Sequence, residues 1–109
     1  MKLRRTLFIV TSCFVFSASP LAVGAGEFDW PLERITDKIY TIYGPFDLPD
    51  PENRGFRNTA VIVLTSAGVV LFDPGGSAWA GERIAERVSS LSDRQIVAVF
   101  NSHAHGDHW

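Results

Sequence analysis

Three imidazoles and a carboxylate fall within six positions, His103, His105, Asp107 and His108, and the sequence holds no other histidine. Neutral imidazole nitrogen and carboxylate oxygen are the ligands zinc takes when no thiolate is offered. Residues two apart in an extended segment point to the same side, so His103 and His105 can present two nitrogens to one cation. Gly106 then permits a sharp turn, and Asp107 and His108 leave in another direction, where they could serve a second cation. A hydrolytic zinc site also needs an open coordination position and a carboxylate that orients the water or accepts its proton. Asp107 suits that catalytic role, and it could equally ligate the second ion. A structural histidine is the plainer reading of a lone imidazole, and a fortuitous chelating tail that of a terminal cluster; ligand identity and spacing favour the metal site over both.

Two further positions bear on this cluster. Asp73 ends the apolar stretch Val69-Val70-Leu71-Phe72 immediately before Pro74-Gly75-Gly76. A carboxylate there could hydrogen-bond the free N–H of a ligand histidine; it could as well be a turn opener, since Asp-Pro is a common one. Asn101 and Ser102 could hydrogen-bond behind the ligands, though Ser102 reads more simply as a surface residue.

The elements that must position these groups follow from periodicity. Glu27 to Pro31 is a lead-in, with Phe28 and Trp30 able to pack against the body. Ile35 to Tyr43 is β-branched and aromatic and predicts a first strand, with Thr36-Asp37-Lys38 a turn near its start. Gly44 to Asn58 carries Pro45, Pro49, Pro51, Gly55 and many polar groups, a long loop that is either a functional flap or a floppy connection. Thr59 to Thr65 and Val69 to Phe72 predict a hairpin about Ser66-Ala67-Gly68. Ser77 to Ser90 predicts a helix with Ser77 as N-cap and Ala80, Ile84, Val88 and Leu91 as one apolar stripe. Gln95 to Phe100 predicts a buried strand that delivers the histidines. The pattern is α/β, a mixed sheet with a covering helix. One sheet face and its edges would stay uncovered, so the sequence reads as the N-terminal part of a longer protein.

Composition narrows the function classes. The chain has 109 residues, enough for one small domain. Basic residues Lys2, Arg4 and Arg5, the apolar run Leu7 to Phe16, and small residues up to Ala25 have the order of a secretory signal peptide over residues 1–25. A membrane anchor is the alternative, but the run is about half the ~20 residues a span needs. Val10-Thr11-Ser12-Cys13 weakly resembles a lipoprotein box and Arg4-Arg5 a twin-arginine signal. Residues 26–109 keep seven of the ten basic groups and all twelve acidic ones, a net charge of −5. They show no basic stripe for nucleic acid. The sole cysteine, Cys13, lies in the signal, so no thiolate is available to a metal in the exported part. The expected location is periplasmic or secreted, with no membrane association after cleavage, and the expected partner is a small-molecule substrate.

His103-x-His105-x-Asp107-His108 after an apolar strand resembles the signature of the metallo-β-lactamase superfamily, and Val69 to Gly75 resembles its strand ending in Asp-x-Gly. The likeness covers about residues 35–109 and implies an αββα sandwich of which this chain supplies the first half. By the resemblance, His103 and His105 ligate a first metal, Asp107 and His108 a second, and Asp73 is a buried supporting aspartate. The resemblance also implies two zinc ions per complete domain, with iron possible in some relatives, and further ligands that have no counterpart up to Trp109. Pro49-Asp50-Pro51-Glu52-Asn53-Arg54-Gly55 followed by Asn58 is similar to exported members called quinoprotein relay system zinc metallohydrolases. Three functions compete: an exported zinc hydrolase of an ester, thioester, amide or lactam; a mononuclear iron dioxygenase of a sulfur compound; and an inactive truncated chain.

Overall fold

The computed structural model describes residues 29–109; the segment read as a signal peptide and Phe28 lie outside the described residues. Five strands and one helix follow in order: β1 Leu32–Arg34, β2 Ile39–Tyr43, β3 Thr59–Leu64, β4 Val69–Phe72, α1 Ala78–Leu91 and β5 Ile96–Phe100. They form one sheet in the order β1-β2-β3-β4-β5. Its first three pairings are antiparallel, and β4 pairs with β5 in parallel through the α1 crossover.

The hairpin and helix stand where periodicity puts them. Ser77 has extended backbone and its hydroxyl accepts the Ala80 N–H at 3.2 Å, so it caps α1. Arg83 pairs with Glu86 at 2.7 Å on the solvated face. The first strand differs from expectation. Ile35–Tyr43 is not continuous: Thr36 Oγ1 accepts the N–H groups of Lys38 and Ile39, folding a turn. The chain before it, Leu32–Arg34, becomes a separate edge strand.

Inward residues of β2, β3 and β4 meet the helix stripe. Ile42, Ala60, Ile62, Val69, Leu71, Ala80, Ile84 and Val88 form the core with Phe56. Burying an aliphatic side chain such as Ile62 or Ile84 contributes about 1.5–3 kcal/mol. Phe56 comes from the 44–58 loop, which is therefore neither floppy nor without structure. Asp50 Oδ1 accepts the N–H groups of Glu52 and Asn53, and Asn53 Oδ1 accepts those of Asp50 and Gly55. These reciprocal caps fold residues 50–55 into turns, and Trp30 packs on Phe56 with ring centroids 4.9 Å apart.

Among the described residues, no helix covers the opposite sheet face. Register places Thr41, Val61, Phe72 and Phe100 in one row across it. Phe72 and Phe100 stack at 5.3 Å and remain 39% and 54% exposed. The expectation of a buried β5 is thus not met. Among the described residues this strand has a neighbour on one side only, and α1 packs on β3 and β4, so no β5 residue enters the core.

Candidate metal centre

Topology brings three distant segments to one edge of the sheet. Because β3 runs against β4 and β5 runs with it, residues just before β3 lie beside residues just after β4 and β5. The ends meet at Asn58, Asp73 and Ser102. Ligand sites in α/β sheets form at the carboxyl ends of such parallel strands.

Asp73 ties these ends together. Its N–H donates to Phe100 O at 2.9 Å, its carbonyl accepts Asn58 Nδ2 at 2.6 Å, and its Oδ1 accepts the Ser102 N–H at 2.7 Å. Its backbone is left-handed, with φ of +49°, a conformation that Asp tolerates better than most residues. Strain of this kind costs about 1–3 kcal/mol and persists only when the surroundings enforce it. Burial opposes ionisation of Asp73, but the backbone N–H and hydroxyl of Ser102 and the His108 ring outweigh it. The net effect holds the carboxyl below its ordinary value of 3.8.

The histidine loop is bent rather than extended, yet His103 and His105 still meet. His103 Nε2 lies 3.0 Å from His105 Nδ1, with the rings edge to face. Two donors at about 2.0–2.1 Å from one tetrahedral ion stand roughly 3.3 Å apart, so this pair is spaced as two ligands of one zinc would be. Without a cation the same spacing suits an N–H···N hydrogen bond. Ser102 Oγ lies 2.8 Å from His103 Nδ1. If Nδ1 carries the proton and donates to Ser102, Nε2 keeps its lone pair for a metal. Ser102 is exposed but not merely a surface residue, since its backbone and hydroxyl contact both Asp73 and His103.

Asp107 and His108 do not diverge from the first pair. The His108 ring packs on His103 with centroids 4.0 Å apart. His108 Nε2 is 3.7 Å from Asp107 Oδ2, and His108 Nδ1 is 3.2 Å from Asp73 Oδ2. The last contact is close without the alignment of a formed hydrogen bond. The donors therefore form two pairs, and among the described residues no three His, Cys, Asp or Glu side chains gather around a common point.

Gly106 and Gly76 exchange the roles that sequence suggests. The His108 N–H closes a turn onto His105 O at 3.1 Å, but Gly106 is not left-handed and a Cβ on it would meet open space. Gly76 is the glycine that geometry requires. A Cβ there would overlap the Gly106 carbonyl oxygen and stand 2.7 Å from its carbon and 2.9 Å from Asp107 Cα.

Arg57, which sequence reasoning treated only as loop polarity, reaches the same place, with its Nε 3.9 Å from Asp107 Oδ2. The available signal was topological. A residue two positions before β3 must lie near the end of β4 once the hairpin is drawn.

The family model of the metallo-beta-lactamase superfamily matches residues 53–109, just over half of the chain. The chain belongs to the metallo-β-lactamase superfamily. The matched span holds the whole cluster, from Arg57 and Asn58 through Asp73 and Gly76 to His108, and leaves β1 and β2 outside. No curated protein and no solved structure matches the chain. Metallo-β-lactamase membership points to metallo-hydrolase-type activity, and the nitrogen and oxygen donors gathered here suit the metals this superfamily commonly binds.

Proposed function

We propose that this chain carries metal-binding and catalytic residues of an exported zinc-dependent hydrolase that cleaves an ester, thioester, amide or lactam. The observation that carries the reading is the 3.0 Å approach of His103 Nε2 to His105 Nδ1, beside a carboxylate and a third imidazole. In this reading His103 and His105 hold a first zinc, and Asp107 and His108 contribute to a second. Bound zinc supplies a Lewis acid that activates water near neutral pH and polarises the scissile carbonyl. Asp107 orients the attacking water and takes its proton at a carboxylate oxygen. Ser102 holds the His103 tautomer, and the Asp73 carboxylate lies close enough to His108 to accept its ring N–H after a small reorientation. The exposed Phe72–Phe100 face supports an αββα sandwich in which a second sheet packs there. Residues 49–55 favour the branch of quinoprotein relay system zinc metallohydrolases.

The test is zinc-dependent turnover by the full chain of one representative each of lactam, ester and thioester. Hydrolysis of at least one, abolished by chelation and by Asp107→Ala, is the expected outcome. No turnover of any would contradict the hydrolase reading.

A further inference from the structure

Among the described residues, Arg57 is the arginine that pairs across to the histidine–aspartate cluster, and its bonding is unfinished. Its Nε is buried and makes no hydrogen bond; the carboxylate it pairs with, Asp107 Oδ2, lies 3.9 Å away, beyond hydrogen-bond reach. The side chain is 30% exposed, and its two Nη atoms, unlike Nε, are not buried. Among the described residues these two atoms meet no hydrogen-bond acceptor. A guanidinium presents two parallel N–H donors along one edge, a geometry that matches a carboxylate and leaves a neutral carbonyl half satisfied. The inner edge faces Asp107, which aims the group without consuming its outer donors. Arg57 stands on the loop just before β3, and its side chain, part-exposed, lies beside the cluster.

We infer that Arg57 is a substrate-binding residue that takes a carboxylate of an anionic substrate and sets that substrate against the histidine–aspartate cluster. The inference rests on the hydrolase reading for its location and deepens it by naming the substrate class. Substrates bearing a carboxylate close to the scissile carbonyl are the ones this arrangement selects, and neutral esters are disfavoured. A metal in the cluster strengthens the effect, because Asp107 then shares its charge with the cation and competes less for the guanidinium.

The experiment is an NMR titration of the Arg57 Nε–Hε resonance of the full chain with acetate, using acetamide as the neutral control, on zinc-loaded and metal-free protein. The expected result is a saturable shift with acetate and none with acetamide, together with an acetate affinity about tenfold or more weaker in Arg57→Gln, read from neighbouring backbone amides. Zinc content is measured on the same samples. Arg57→Gln is expected to keep its zinc, whereas His103→Ala with His105→Ala loses it. An Arg57-dependent acetate response in either metal state upholds the inference, and its absence in both overturns it. Loss of zinc in Arg57→Gln without any acetate response would instead make Arg57 a support for Asp107, which also overturns it. A chain that takes no zinc but shows the acetate response would sink the hydrolase reading and leave the anion site standing.

Discussion

At the scale of single residues, Asp73 concentrates the most interactions. Backbone and side chain together contact β5, the loop before β3 and the histidine loop. Sequence left it undecided between turn opener and supporting carboxylate, because local spacing says nothing of residues twenty-nine positions away. The structure puts both features in one residue: it turns the chain at φ +49° and its carboxylate receives Ser102. Its lowered pKa has a stability consequence. The unfolded carboxyl titrates near 3.8 and the folded one lower. The stabilisation is therefore complete above the unfolded value and is lost as pH falls through the folded one. Asp73→Asn keeps the left-handed backbone and an acceptor for Ser102 but loses the charge. Its stability deficit in urea should be widest at about pH 7 and shrink towards about pH 2–3; a deficit independent of pH would assign the role to shape alone. Asp73→Ala, which also strands the Ser102 N–H, should cost about 1–3 kcal/mol at neutral pH.

At the scale of elements, the regular pieces were legible because each obeys its own period. The β3–β4 hairpin, the α1 stripe and its Ser77 cap follow from alternation, four-residue spacing and a serine at the start. Ser77→Ala should lower stability by about 1 kcal/mol, read from the urea midpoint. Less was legible where contacts are non-local. Leu32–Arg34 is too short to show a period, and Phe56 sits in a polar, proline-rich loop yet is fully buried. The glycines show the same limit. Gly106 looked necessary from its place between ligands, whereas the close approach is made by Gly76, whose neighbour lies thirty residues on. Gly76→Ala must push the histidine loop away and should cost about 1–3 kcal/mol. It should also weaken zinc binding about tenfold or more, since ligand geometry is displaced. Gly106→Ala should stay within about 0.5 kcal/mol of the parent. Urea unfolding and a competitive zinc titration on both variants check the contrast; equal behaviour would contradict the contact between the two loops.

At the scale of the whole molecule, the described residues cover the sheet on one side only. The α1 face is closed by the core, while the other presents Phe72 and Phe100 to solvent. Contiguous exposed apolar surface of this kind marks a place where something packs. The 109-residue chain should therefore enhance the fluorescence of a hydrophobic dye such as ANS. Phe72→Ser with Phe100→Ser should reduce that signal while leaving the far-UV spectrum unchanged; an undiminished signal would place the apolar surface elsewhere. The superfamily was readable from the histidine motif and the strand before Asp73, because those groups are adjacent in sequence. The partnership of Arg57 with the cluster was not, because only the folded sheet brings it there. The account rests on one claim, that the histidine–aspartate cluster binds metal. Its most direct test is zinc and iron content of the purified full chain by elemental analysis, beside a folded His103→Ala/His105→Ala control. The account predicts bound zinc in the parent and its loss in the control; iron in its place would move the chemistry to sulfur oxidation. No metal in the parent, or equal zinc in both, would contradict it.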